Sequence, residues 1–97
     1  MHGVPTGPPL PVDVLVADHH RVVAEGVAAL IAPHVRSVTM VHTAQDLLDR
    51  APAGALVVGD IDLPDIPGIE PLRTLARRPG GVRFIVLSGH DEPLIVQ

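Results

Sequence analysis

A chain of 97 residues has room for one small domain, and 46% hydrophobic residues are ample for its core. Phe84 is the one aromatic residue, so the packing is aliphatic. The net charge is −4, all seven basic residues are Arg, and Arg77-Arg78 is the one basic pair, which argues against nucleic-acid contact by this segment. No cysteine is present, which excludes disulfides and thiolate metal sites. The start Met1-His2-Gly3-Val4-Pro5 lacks the basic and apolar regions of a signal peptide, and no apolar stretch reaches membrane-spanning length, so a cytoplasmic protein is expected.

Residues 1–11 hold four prolines and two glycines and read as a disordered or extended leader, with the domain spanning 12–97. Val12 to Ala17 predicts a strand. Val23, Val27, Leu30 and Ile31 then form the stripe of an amphipathic helix ending before Pro33. Ser37 to Val41 is β-branched with mild alternation, as in an edge strand, and Thr43 with Asp46 resembles a capping box opening a helix through Arg50. The run Ala55 to Gly59 is apolar throughout, as a central parallel strand requires, and Ile69, Leu72, Leu75 and Ala76 mark a helix stopped by Pro79-Gly80-Gly81. Val82 to Leu87 gives a fourth strand, and Asp91-Glu92-Pro93 reads as the start of a further helix. Alternating strands and helices imply an α/β fold, a doubly wound open parallel sheet.

Three polar groups fall at the carboxyl ends of successive strands: Asp18-His19-His20, Asp60 and Ser88-Gly89. Ligand chemistry in open α/β sheets sits in the crevice at those ends. The segments Val14-Leu15-Val16-Ala17-Asp18-His19-His20, Val57-Val58-Gly59-Asp60-Ile61-Asp62-Leu63-Pro64 with Gly68, and Ile85-Val86-Leu87-Ser88-Gly89-His90-Asp91 together resemble the receiver domain of bacterial two-component response regulators, in particular LuxR-type receivers.

The resemblance implies a flavodoxin-like receiver fold lacking its last βα unit, and a signalling module rather than an enzyme. It implies that Asp60 accepts a phosphoryl group from a sensor histidine kinase, with Mg2+ held by Asp18, Asp60 and the backbone carbonyl of Asp62, and Ser88 binding the phosphoryl oxygens. Most receivers carry a second acid where this chain has His19, so Mg2+ binding is expected to be weakened or absent. The family's fifth strand and its Lys are not found before Gln97, which leaves the fourth strand as an open edge inviting a homodimer or completion by a partner chain.

Each residue also has a plainer reading. Asp60 could be a loop acid satisfied by backbone N–H groups, Asp18 the N-cap of the first helix, and Ser88 a cap of the next. Asp62 and Asp65 read as solvated loop acids, and Arg73, Arg77 and Arg78 as the wet face of a helix. His19, His20, His34, His42 and His90 read as surface or loop residues, the adjacent pair His19-His20 leaving a transition-metal site as an alternative. Two other functions compete: a non-phosphorylated receiver acting as a protein-interaction module, and a haloacid-dehalogenase-like phosphatase using Asp60 and Asp62 as nucleophile and general acid.

Overall fold

The structure is a computed structural model that describes residues 7–60 and 63–87 and the backbone of 94–96. In chain order the elements are β1 (Leu10–Ala17), α1 (Arg21–Ile31), a 3₁₀ turn (Ala32–His34), β2 (Val35–Val41), α2 (Ala44–Arg50), β3 (Leu56–Gly59), α3 (Glu70–Arg77), β4 (Arg83–Val86) and β5 (Leu94–Val96). The sheet order is β2-β1-β3-β4-β5, with the first four strands parallel.

Strand β1 starts at Leu10, two residues before the expected Val12, and pairs Leu10 with Val35. The register is irregular between Leu10 and Asp13, around Pro11, which has no N–H to give to a ladder. Pairing to β3 begins only at Val14, so the proline lies outside the stretch where β1 is flanked on both sides.

Alternation along β1 sends side chains to two cores. Leu15 and Ala17 join Val57, Phe84, Leu47 and Leu75 beneath α2 and α3, while Val14, Val16 and Val58 pack against Ala24 of α1. The stripe on α1 differs from the expected one. Ala24, Val27, Ala28 and Ile31 meet the sheet, whereas Val23 is half exposed and Leu30 is 76% exposed. Small side chains at the contact let the helix approach the sheet closely, which turns the longer aliphatics outward.

The expected helix after Asp91-Glu92-Pro93 is absent at the residues described there. Residues 91–93 lie outside the described residues, and Leu94–Val96 form β5, paired antiparallel to β4 as Phe84↔Val96 and Val86↔Leu94. Leu-Ile-Val favours strand, and the unpaired groups of β4 offer it a ladder. The open edge foreseen on β4 is therefore covered.

Candidate functional site

The chain passes from β1 to β2 on one side and from β2 across to β3 on the other. The order thus reverses between β1 and β3, where a crevice opens at the carboxyl ends of the strands. Ala17 pairs with Gly59, so Asp18 and Asp60 leave the sheet side by side. The Asp60 N–H donates to the Ala17 carbonyl at 2.8 Å, and the Leu87 N–H donates to the Gly59 carbonyl at 2.8 Å, carrying the parallel pairing past the strand ends.

Asp18 is the buried acid of the site. Its Oδ1 accepts from the His20 backbone N–H at 2.8 Å and lies 3.2 Å from His20 Nδ1. The residue preceding α1 in the cap position is His20, so Asp18 closes a tight turn before the helix rather than capping it. Its backbone is held from β2, with its N–H donating to the Val41 carbonyl at 3.1 Å and its carbonyl accepting from His42 Nδ1 at 2.9 Å. A carbonyl only accepts, so Nδ1 is the protonated nitrogen of His42.

His19 Nδ1 stands 3.9 Å from Asp60 Oδ2, with both side chains about one-third exposed. Its ring lies 3.8 Å from that of His20, centre to centre. The donor atoms of Asp18, His19 and His20 all fall within 4.8 Å of one another. Of the expected site residues, Asp18, Asp60 and His19 are thus brought together. Asp62 and Ser88 lie outside the described residues.

Asp65 is an exposed loop acid, as expected, but its carboxylate is also engaged. Its Oδ1 accepts from the Ala44 N–H at 2.8 Å and its Oδ2 from the Gln45 N–H at 3.0 Å, while Thr43 Oγ1 takes the Asp46 N–H at 3.0 Å. The segment after Asp60 is therefore pinned to the start of α2 by Asp65 and to the core by buried Leu63. Arg78, exposed at the C-cap of α3, donates through Nη1 to the Leu48 carbonyl of α2 at 2.7 Å.

The family model for the response regulator receiver domain matches residues 14–97. The chain belongs to the response regulator receiver family. It is 34% identical over 90 residues to the transcriptional regulatory protein UhpA of Salmonella typhimurium, covering 89% of this chain and 44% of that protein. UhpA of Escherichia coli is 33% identical over the same length and coverage. The chain thus spans less than half the length of these curated relatives, and no solved structure matches it significantly. Asp60 follows directly on β3, the third strand in the chain. No helix among the described residues is long and apolar enough to cross a membrane.

Receiver domains bind Mg2+ at acidic residues. In this receiver the described donors around the crevice are two carboxylates and two imidazoles. The two carboxylates, Asp18 and Asp60, are the oxygen donors such a cation would take, and the imidazoles stand beside them.

Two carboxylates outside the crevice make the domain acid-sensitive. Backbone N–H donors from Ala44 and Gln45 hold the Asp65 carboxyl below the usual range. Hydrogen bonds from Arg36 and Ser37, joining β1 to β2, lower Asp13 from 3.8 to about 2. A depressed folded-state pKa contributes stability that is complete above the unfolded value and lost as pH falls through the folded one. Unfolding midpoints measured by circular dichroism are expected to hold above pH 3.8 and to drop as pH approaches about 2. Asp65→Asn should lower the neutral-pH midpoint and flatten that acid limb, because one amide hydrogen-bonding face opposes a backbone N–H. An unchanged acid limb in Asp65→Asn would remove Asp65 from the account.

Proposed function

We propose that this receiver is a phosphorylation-controlled switch of a two-component relay, in which Asp60 accepts a phosphoryl group from the phosphohistidine of a sensor kinase. The observation that carries the reading is the Ala17–Gly59 pairing, after which Asp60 and buried Asp18 leave adjacent strands at the point where the strand order reverses.

In the transfer an Asp60 oxygen forms the P–O bond as the P–N bond to the kinase imidazole breaks. The electron pair stays on that nitrogen, which gains a proton from solvent. The chain's part is positioning: Gly59 and Ala17 fix the Asp60 backbone, and Leu63 and Asp65 anchor the segment that follows. Ser88 is assigned to the phosphoryl oxygens and the Asp62 carbonyl to the cation shell by position in the family motif. A phosphoryl group on Asp60 adds negative charge next to Asp18, a repulsion that can be relieved by loop movement. Output to transcription follows from the description of the UhpA relatives as transcriptional regulatory proteins.

The test is intact-mass spectrometry after incubation with acetyl phosphate and a divalent cation. Wild type should gain one phosphoryl group and Asp60→Asn none. No gain in folded wild type would favour the second reading, a receiver that works by protein contact without phosphorylation, which His19 beside Asp60 supports.

A further inference from the structure

The imidazoles at the mouth of the crevice carry an inference about cation identity. His19 and His20 extend from the turn between β1 and α1, with 36% and 63% of their side chains exposed, so their rings can be reoriented at little packing cost. Asp18 is buried and its turn is fixed by two backbone bonds to the β2 side and one from His20. Two ligands of a tetrahedral zinc ion, each about 2.1 Å from it, stand about 3.4 Å apart. The 3.9 Å between His19 Nδ1 and Asp60 Oδ2 is slightly longer than that and closes with a small turn of the exposed ring. The donors of Asp18, His19 and His20 lie within 4.8 Å of one another and are gathered by rotation of the two exposed rings.

Chemistry then selects the ion. Magnesium and calcium seek oxygen, whereas imidazole with carboxylate suits zinc, cobalt, nickel or copper, all of which bind such donors more tightly than magnesium does. The His20 backbone N–H bonded to the Asp18 carboxylate is the kind of outer-shell contact that orients a carboxylate ligand, while the His42 ring holds the Asp18 backbone carbonyl.

We propose that the crevice is a site for an imidazole-preferring divalent transition metal, with zinc as the type ion, held by Asp18, His19 and His20 and with Asp60, beside His19, as the fourth ligand. The proposal rests on the receiver reading only in sharing its crevice. His19 is the selectivity-determining residue: an oxygen donor there makes a site for magnesium, and imidazole turns it to zinc.

Titration calorimetry with Zn2+ and Mg2+, together with the visible spectrum of the Co2+-loaded chain, tests this on the full chain. Wild type should take one equivalent of Zn2+ more tightly than Mg2+ and give the intense absorption of low-coordinate cobalt. His19→Asp should weaken Zn2+ by about 10–100-fold, the scale on which metal-shell changes act, and strengthen Mg2+. His34→Gln, a change on the far side of α1, should alter neither.

Zn2+ affinity unchanged in His19→Asp, or lost equally in His34→Gln, overturns the proposal, since binding is then to scattered surface histidines. If His19→Asp does not fold, His19→Gln keeps the ring's approximate volume and must still weaken Zn2+. The two readings fail separately. Absence of acetyl-phosphate labelling in both wild type and His19→Asp removes the phosphoacceptor while leaving a His19-dependent zinc site intact. Labelling without His19-dependent selectivity does the reverse.

Discussion

Gly59→Ala is expected to lower unfolding stability by about 2–6 kcal/mol, combining a strained backbone with an overpacked strand contact. Gly59 has φ 144°, a conformation closed to side chains by their own Cβ, and a methyl built there collides with the Ala17 carbonyl oxygen. That oxygen cannot retreat, because it accepts the Asp60 N–H at 2.8 Å in the contact that aligns the two acids. Since a small domain has about 5–15 kcal/mol in total, the variant should be largely unfolded or melt far below wild type. The control is Gly26→Ala in α1, where a Cβ meets nothing within 4 Å. There alanine should stabilise by about 0.5–1 kcal/mol through helix propensity. Urea unfolding followed by circular dichroism separates the two. A Gly59→Ala midpoint equal to wild type would mean that β1 and β3 do not meet as closely at their ends as described.

The parallel sheet was legible because a buried parallel strand leaves an unmistakable trace: Val14 to Ala17 and Ala55 to Gly59 are apolar without interruption. Asp18 and Asp60 were legible for the same reason, each being the first charged residue after such a run. Features that depend on distant partners were not. Asp65 looks like any loop acid until folding brings it to the N–H groups of Ala44 and Gln45, 21 and 20 positions back. His42 acquires its place only from the Asp18 carbonyl, 24 residues away. Arg78 sits beside a helix carbonyl 30 residues distant. No local pattern encodes such pairs. Thr43, by contrast, was readable, since a cap finds its partner three residues on. Strand β5 was misread because Asp91-Glu92-Pro93 is a local helix signal, while the ladder that captures Leu94–Val96 is supplied by β4.

A second large effect is expected where periodicity alone gives the wrong answer. Leu30 and Leu75 are both leucines on amphipathic helices, and both sit on the apolar stripe read from sequence. In the fold Leu75 is fully enclosed among Leu15, Leu47, Val57 and Phe84, whereas Leu30 is 76% exposed. Leu75→Ala should therefore cost about 2–5 kcal/mol, the transfer of the lost methyl groups plus the cavity left behind, because β-strands on one side and α2 on the other cannot close over it. Leu30→Ala should change stability by no more than about 0.5 kcal/mol. The comparison also bears on the site. Leu75 belongs to the cluster that holds Leu63, and Leu63 with Asp65 anchors the segment following Asp60. Loosening that cluster should broaden the amide resonances around Asp60 and Asp65 before the domain unfolds globally, while Leu30→Ala leaves them sharp. Equal losses in the two variants would place α1 the other way round on the sheet, with its long aliphatics inward and Ala24 and Ala28 facing water.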